Sequence, residues 1–112
     1  MVLAKRSKGQ ILDAAYVLPQ VLVKPTAIYE GLCWDDDEER RGVGWRCYAG
    51  IPDCSYREDG TKQPPWAGDV FLAFVNSDGV IYNWRWEKSS PDDPTLPRTD
   101  DEIKPRFRKR LL

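Results

Sequence analysis

A chain of 112 residues, 41% hydrophobic and 31% charged with a net charge of −1, has the length of one compact domain and the composition of an ordered one. No apolar run approaches the roughly 20 residues that a membrane-spanning helix needs. The basic opening MVLAKRSKGQ is followed by no long apolar segment or cleavage site, so neither an export signal nor a membrane is expected, and a cytoplasmic location is.

Lys8 to Val23 reads KGQILDAAYVLPQVLV. Ile11, Leu12, Ala15, Tyr16 and Leu18 recur at helical spacing and predict an amphipathic helix that Pro19 ends, with a helical turn and extended chain after it. TAIYEGLCW (26–34) is rich in β-branched and aromatic residues and predicts a first strand. A charged turn follows, with an unbroken acidic run from Asp35 to Glu39. In GVGWRCYAGI (42–51), Val43, Trp45, Cys47, Ala49 and Ile51 alternate with Arg46 and Tyr48, so the strand has an apolar and a polar face. Residues 52–69 hold Pro52, Asp59-Gly60, Pro64-Pro65 and Gly68, the chemistry of a long loop. VFLAFV (70–75) is apolar on both faces, as a central strand is. NSDG turns the chain, and VIYNWRWEK (80–88) returns as the second arm of a hairpin. Strict alternation there places Tyr82, Trp84 and Trp86 on one face and Asn83, Arg85 and Glu87 on the other. The proline-rich, acidic stretch from Ser89 to Glu102 is an irregular excursion, and IKPRFRKRLL closes the chain as a short helix or a last strand. The expected architecture is a single α+β domain (1–112), an N-terminal helix packed on a twisted antiparallel sheet of about four strands.

The chemistry-bearing residues narrow the function classes. Without a single histidine, Ser–His and Cys–His nucleophiles are impossible. Cys33, Cys47 and Cys54 form no CxxC pair and lack a fourth ligand for zinc, so they read as reduced thiols; no metal and no cofactor is expected. Two strands carry polar groups at alternate positions. If Arg46, Tyr48, Arg85 and Glu87 share a sheet face, two guanidinium forks converge with a carboxylate and a phenol, a set suited to a phosphodiester. The plainer reading is a cross-strand ion pair such as Arg46 with Glu87 on a wet face. Trp45, Tyr82, Trp84 and Trp86 are either a stacking platform for bases or, as alternate strand positions favour, core. Trp66, in the Pro-Pro-Trp loop, has no periodic partner and marks either loop packing or a contact surface. The C-terminal residues Lys104, Arg106, Arg108, Lys109 and Arg110 are the strongest electrostatic candidates for phosphate, unless they pair internally with the acidic run.

ILDAAYVLPQVLVKPTAIYEG (11–31), the hairpin VFLAFVNSDGVIYNWRW and the closing PRFRKRLL, taken in that order, resemble the barnase/EndoU/colicin/RelE-type small nuclease superfamily, in its phage and polymorphic-toxin branch. The resemblance is one of element order and implies a toxin-like RNase acting by metal-independent transphosphorylation. Many branches of that superfamily use a histidine, which this chain lacks. The expected function is therefore RNA cleavage or RNA binding. In it Arg46 and Arg85 stabilise phosphate, Glu87 or Tyr48 assists proton transfer, and the basic tail steers RNA. The alternative is a non-enzymatic module that meets an acidic or basic protein partner through its acidic and Pro-Pro-Trp loops.

Overall fold

The computed structural model describes residues 6–32, 44–98 and 107–112. The chain begins with a helix in three sections: α1 (Lys8–Leu12), a π-helical turn (Asp13–Val17) and α2 (Leu18–Val23). Among the described residues seven strands follow: β1 (Ala27–Leu32), β2 (Arg46–Gly50), β3 (Ser55–Tyr56), β4 (Lys62–Gln63), β5 (Asp69–Val75), β6 (Ile81–Lys88) and β7 (Phe107–Arg110). Five of them form one antiparallel sheet in the order β6-β5-β2-β1-β7, and β3 pairs with β4 in a small separate ribbon. The fold is thus α+β with a helix on an antiparallel sheet, and the sheet has five strands where about four were expected. The added member is β7, which pairs with β1 and settles the closing segment as a strand. Among the described residues, no helix is long and apolar enough to cross a membrane.

Ser7 starts the helix with a reciprocal cap: its hydroxyl accepts from the Gln10 N–H, and the Gln10 side chain accepts from the Ser7 N–H. The helix then runs through Pro19 to Val23 instead of stopping before it. In the π turn the Leu18 N–H donates to the Asp13 carbonyl, five residues back. That widening makes room for the pyrrolidine ring, which normally clashes with the carbonyl four residues earlier.

Gly9, Asp13, Val17 and Val21, spaced by four, form the buried stripe of the helix, with Gly9 against the Arg57 carbonyl and Val17 and Val21 against the sheet, whereas Ile11 and Tyr16 stand exposed. On the sheet side, Val17, Leu18 and Val21 meet Phe71 and Ala73 of β5, with Tyr48, Trp84 and Trp86 packed around them. The opposite face gathers Ala27, Tyr29, Cys47, Ala49, Val70, Leu72, Phe74 and Phe107. As its two-sided apolarity implied, β5 is an interior strand buried on both faces, next to β2 at the middle of the sheet.

The β5–β6 turn is closed by Asn76, whose side-chain oxygen accepts from the Asp78 and Val80 N–H groups, and by Gly79 at φ 80°. Just after it the register slips: Phe74 faces Asn83 and Val75 faces Ile81, so Tyr82 is an extra residue. The bulge turns Tyr82 toward Trp45 and Phe74, at ring-centroid distances of 4.9 and 6.0 Å. The aromatic row expected on one face is therefore split. Trp84 and Trp86 lie under the helix, and Tyr82 lies with Trp45 on the other side.

Candidate functional site

The register decides which polar residues meet. Arg46 pairs with Val75 and Tyr48 with Ala73, on the helix-facing side of the sheet. Arg85 and Glu87 pair with Leu72 and Val70, on the opposite side. Strand β5 also separates β2 from β6. The expected convergence of Arg46, Tyr48, Arg85 and Glu87 in one hollow is corrected by this geometry, and so is the Arg46–Glu87 ion pair.

Each arginine instead has a local acid. Arg46 Nε and Nη2 both lie 2.8 Å from Glu30 Oε2 on the neighbouring strand, and Nη1 reaches the Tyr48 hydroxyl at 3.4 Å. These bonds, to Tyr48 first and Glu30 second, raise the guanidinium pKa further. Arg85 Nε donates to Glu87 Oε1 at 2.6 Å, and its guanidinium lies 4.9 Å from the Phe74 ring centre. Of the basic tail, Lys109 pairs with Glu30 and so shares the Arg46 face, whereas Arg110 pairs with Tyr29 on the other. Arg108 is a β7 residue, and Lys104, Arg106 and the acidic run at 35–39 lie outside the described residues. Cys47 is buried on the face away from the helix, its thiol pushed up to about 12 by desolvation, and Cys54 is buried under the helix. Cys33 lies outside the described residues. Among those described, no group of three or more His, Cys, Asp or Glu is placed to hold a metal ion.

The structure assembles a different site, between the start of the helix, the β3–β4 ribbon and β6. It is a cleft of about 710 Å³, within the range of small-molecule and peptide-anchor pockets. Asp13 forms its deep end. That residue is 4% exposed; its Oδ2 accepts from Trp86 Nε1 at 3.2 Å, and its Oδ1, fully buried, has no partner among the described residues. Burial pushes the Asp13 carboxyl up to about 6, against the opposing effect of the Trp86 N–H. The walls are aromatic. Trp86 is fixed by an edge-on contact with Phe71 at 5.3 Å, Tyr56 by Tyr16 at 6.0 Å, and Trp66 comes from the Pro-Pro-Trp loop with 41% of its surface exposed.

Two close approaches hold the ribbon against the helix. Gly9 lies so near the Arg57 carbonyl that a β-carbon there would overlap it, and Gly60 sits beside Lys8 and Leu12 at φ 90°. The turn between them is closed by Arg57 N–H to the Thr61 carbonyl at 3.0 Å and Gly60 N–H to the Arg57 carbonyl at 2.8 Å. Residues 52–69, expected as loop, thus contain a short ribbon that forms one wall. At the rim, Arg57 and Glu58 are exposed. Arg6 is already committed, stacked 3.8 Å from the Trp84 ring centre and bonded to Asn83 Oδ1 at 3.1 Å.

The signal for Asp13 was present in the sequence as an acid in line with Gly9, Val17 and Val21 at spacing four. It was hidden because the apolar spacing of Ile11, Leu12, Ala15, Tyr16 and Leu18 names a different stripe, and an acid is not counted among core residues. Comparison with protein-family profiles, with characterised proteins and with solved structures gives no match to this chain.

Proposed function

We propose that the protein is a non-enzymatic interaction module that receives a segment of a partner protein in the cleft beside the Pro-Pro-Trp loop. The observation that carries this reading is the placement of Trp66. An exposed indole on a loop, lining the same cleft as a buried and half-unsatisfied carboxylate, combines the apolar anchor and the orienting polar group that a peptide pocket needs. A peptide-display library selected on the wild-type protein tests it. Enriched peptides should shift the indole N–H resonances of Trp66 and Trp86 and lose binding to Trp66→Ala. Failure to enrich any peptide, or binders indifferent to Trp66→Ala, overturns the reading.

RNA is a second reading, favoured by one surface. Arg46, Tyr48 and Lys109 lie on the same sheet face, with Arg46 and Lys109 on either side of Glu30, and offer two cations and a phenol to a single strand. An RNase of the toxin type acting here degrades total RNA in EDTA and loses that activity in Arg46→Ala. A binding protein shows salt-dependent anisotropy with single-stranded RNA that weakens in Lys109→Ala. Intact RNA, together with no anisotropy change in low salt, excludes both.

A further inference from the structure

We infer that the protein pairs with a second copy of itself through the outer face of its helix, each copy seating Ile11 in a hollow beside the other's Pro19. This surface lies apart from the Trp66 cleft and adds to the partner-binding reading without resting on it.

The helix buries Gly9, Asp13, Val17 and Val21. Two positions along, Ile11, Ala15, Pro19 and Val23 repeat the spacing of four and are all exposed, Ile11 at 58% and Val23 at 79%. They form an apolar stripe on the solvent side, widened by Tyr16 and by Ile51, the residue after β2. Between Lys8 and Lys24 the one charged residue is Asp13, which is buried. In a chain that is 31% charged, an outer helix face without a charge departs from ordinary solvated surface and has the character of an interface.

The stripe carries both a projection and a hole. Near its C-terminal end Pro19, Gln20, Val23, Lys24, Ile51 and Asp53 surround a hollow of about 460 Å³. Near its N-terminal end Ile11 projects into solvent. Eight residues, roughly 12 Å of helix, separate Ile11 from Pro19, and Ala15 lies midway. A two-fold axis passing Ala15 runs the second helix antiparallel and sets each Ile11 over the other's hollow. The single methyl group of Ala15 at the crossing point lets the helices come close. A parallel pair would stack Ile11 on Ile11 and leave both hollows unfilled. A foreign helix fills one hollow, whereas a second copy fills two at once.

Charge at the two ends favours the same arrangement. Asp53 lines the hollow, with its N–H donating to Gln20 Oε1 at 2.8 Å. Lys8 stands at the other end, where Gly60 packs on its stem and Asp59 precedes that glycine. Antiparallel helices bring Lys8 beside the second copy's Asp53 and Lys24 beside its Asp59. The salt bridges among the described residues use neither lysine. A net charge of −1 leaves little repulsion between copies.

Sedimentation equilibrium of the full chain tests the pairing. Wild type should pass from monomer to dimer with a dissociation constant of about 10–100 µM, as a small interface gives. Ile11→Glu alters an exposed side chain, so the circular dichroism should stay as it is while the dimer weakens at least tenfold. Lys8→Glu should weaken it about fivefold. Lys8→Glu with Asp53→Lys in the same chain should recover the wild-type constant, because each reversed charge meets its reversed mate. A wild-type chain still monomeric at about 500 µM overturns the inference and leaves the stripe to another occupant. Dimerisation indifferent to Ile11→Glu overturns it as well, by placing the interface elsewhere. A dimer that Ile11→Glu destroys but the double charge reversal does not restore overturns the antiparallel pairing.

Discussion

Two carboxylates face the same side of the sheet and have opposite surroundings. Glu30 lies on β1 with its side chain 28% exposed and receives two nitrogen atoms of Arg46 at 2.8 Å. Asp13 lies on the buried side of the helix at 4% exposure, with one indole N–H and one oxygen that has no partner among the described residues. The first is satisfied within the fold and half in water, so it has little left to offer a ligand. The second carries its unmet hydrogen bond in a place where water is scarce and rings are close. Residues selected for stability alone resemble Glu30; a buried, half-paired acid is kept at the expense of stability, as ligand sites often are.

The comparison is broken most directly by neutralising Asp13. Its folded pKa, about 6, lies above the ordinary value of 3.8 because the neutral form is favoured inside. Between those values the folded protein holds a proton that the unfolded chain has released, so stability falls as pH rises from about 4 to about 6. A shift of this size amounts to about 3 kcal/mol, missing at pH 7.5 and fully present only below pH 3.8. Asp13→Asn should therefore raise stability at pH 7.5 by up to about 3 kcal/mol and flatten that slope, read by urea unfolding at a series of pH values. A destabilised Asp13→Asn at pH 7.5 would show that the carboxylate is better solvated than its burial implies.

The wall of the cleft offers the next largest effect. Gly9 has no room for a methyl group against the Arg57 carbonyl, and the clash is with backbone, which cannot rotate away. Gly9→Ala should cost about 1–3 kcal/mol, as overpacking does, and should move the Arg57–Gly60 turn off the helix. Thermal unfolding gives the first quantity. A displaced Trp86 indole N–H resonance reports the second. No Glu30-type pair depends on this contact, so the Arg46 resonances should stay in place.

How much of this was legible in the chain differs between the two regions. The hairpin from Val70 to Lys88 and the two-faced strand around Cys47 follow from alternation and turn residues, and both stand where alternation puts them, up to the bulge at Tyr82. Periodicity assigns residues to faces of a strand, but it does not say which strands are neighbours. The order β6-β5-β2 placed β5 between the two arginine-bearing strands, and the register sent their polar sides apart. The cleft was less legible still. Its deep residue is an acid on a stripe that the apolar spacing of Ile11, Leu12 and Tyr16 does not announce, and its outer wall depends on the contact of Gly9 with a turn nearly 50 residues away. Trp66 was marked in advance as a contact candidate, because an indole between prolines and glycine has no strand to belong to, and Trp86 was marked only as core or stacking platform.

The helix cap gives a smaller test of the same wall. Ser7 accepts from the Gln10 N–H at 3.2 Å, and Ser7 and Gln10 both line the cleft. Ser7→Ala should lower stability by about 1 kcal/mol, measured by urea unfolding, with the pH slope due to Asp13 retained. A lost slope would mean that the first turn, and not the burial under β6, sets the environment of the carboxylate.

The smallest effect belongs to the satisfied partner. Glu30→Gln and Arg46→Met, with the double variant, form a cycle that isolates the pair. Both side chains are partly in water, 28% and 43% exposed, so screening removes most of the attraction. The coupling should be no more than about 1 kcal/mol and should shrink further in 1 M salt. The contrast between the acids requires this small value: a coupling of about 3 kcal/mol would be that of a desolvated pair and would place Arg46 and Glu30 in an enclosed setting of their own. The helix-facing side of the sheet would then hold two buried electrostatic sites, and the Arg46 face would become the stronger place to look for a ligand.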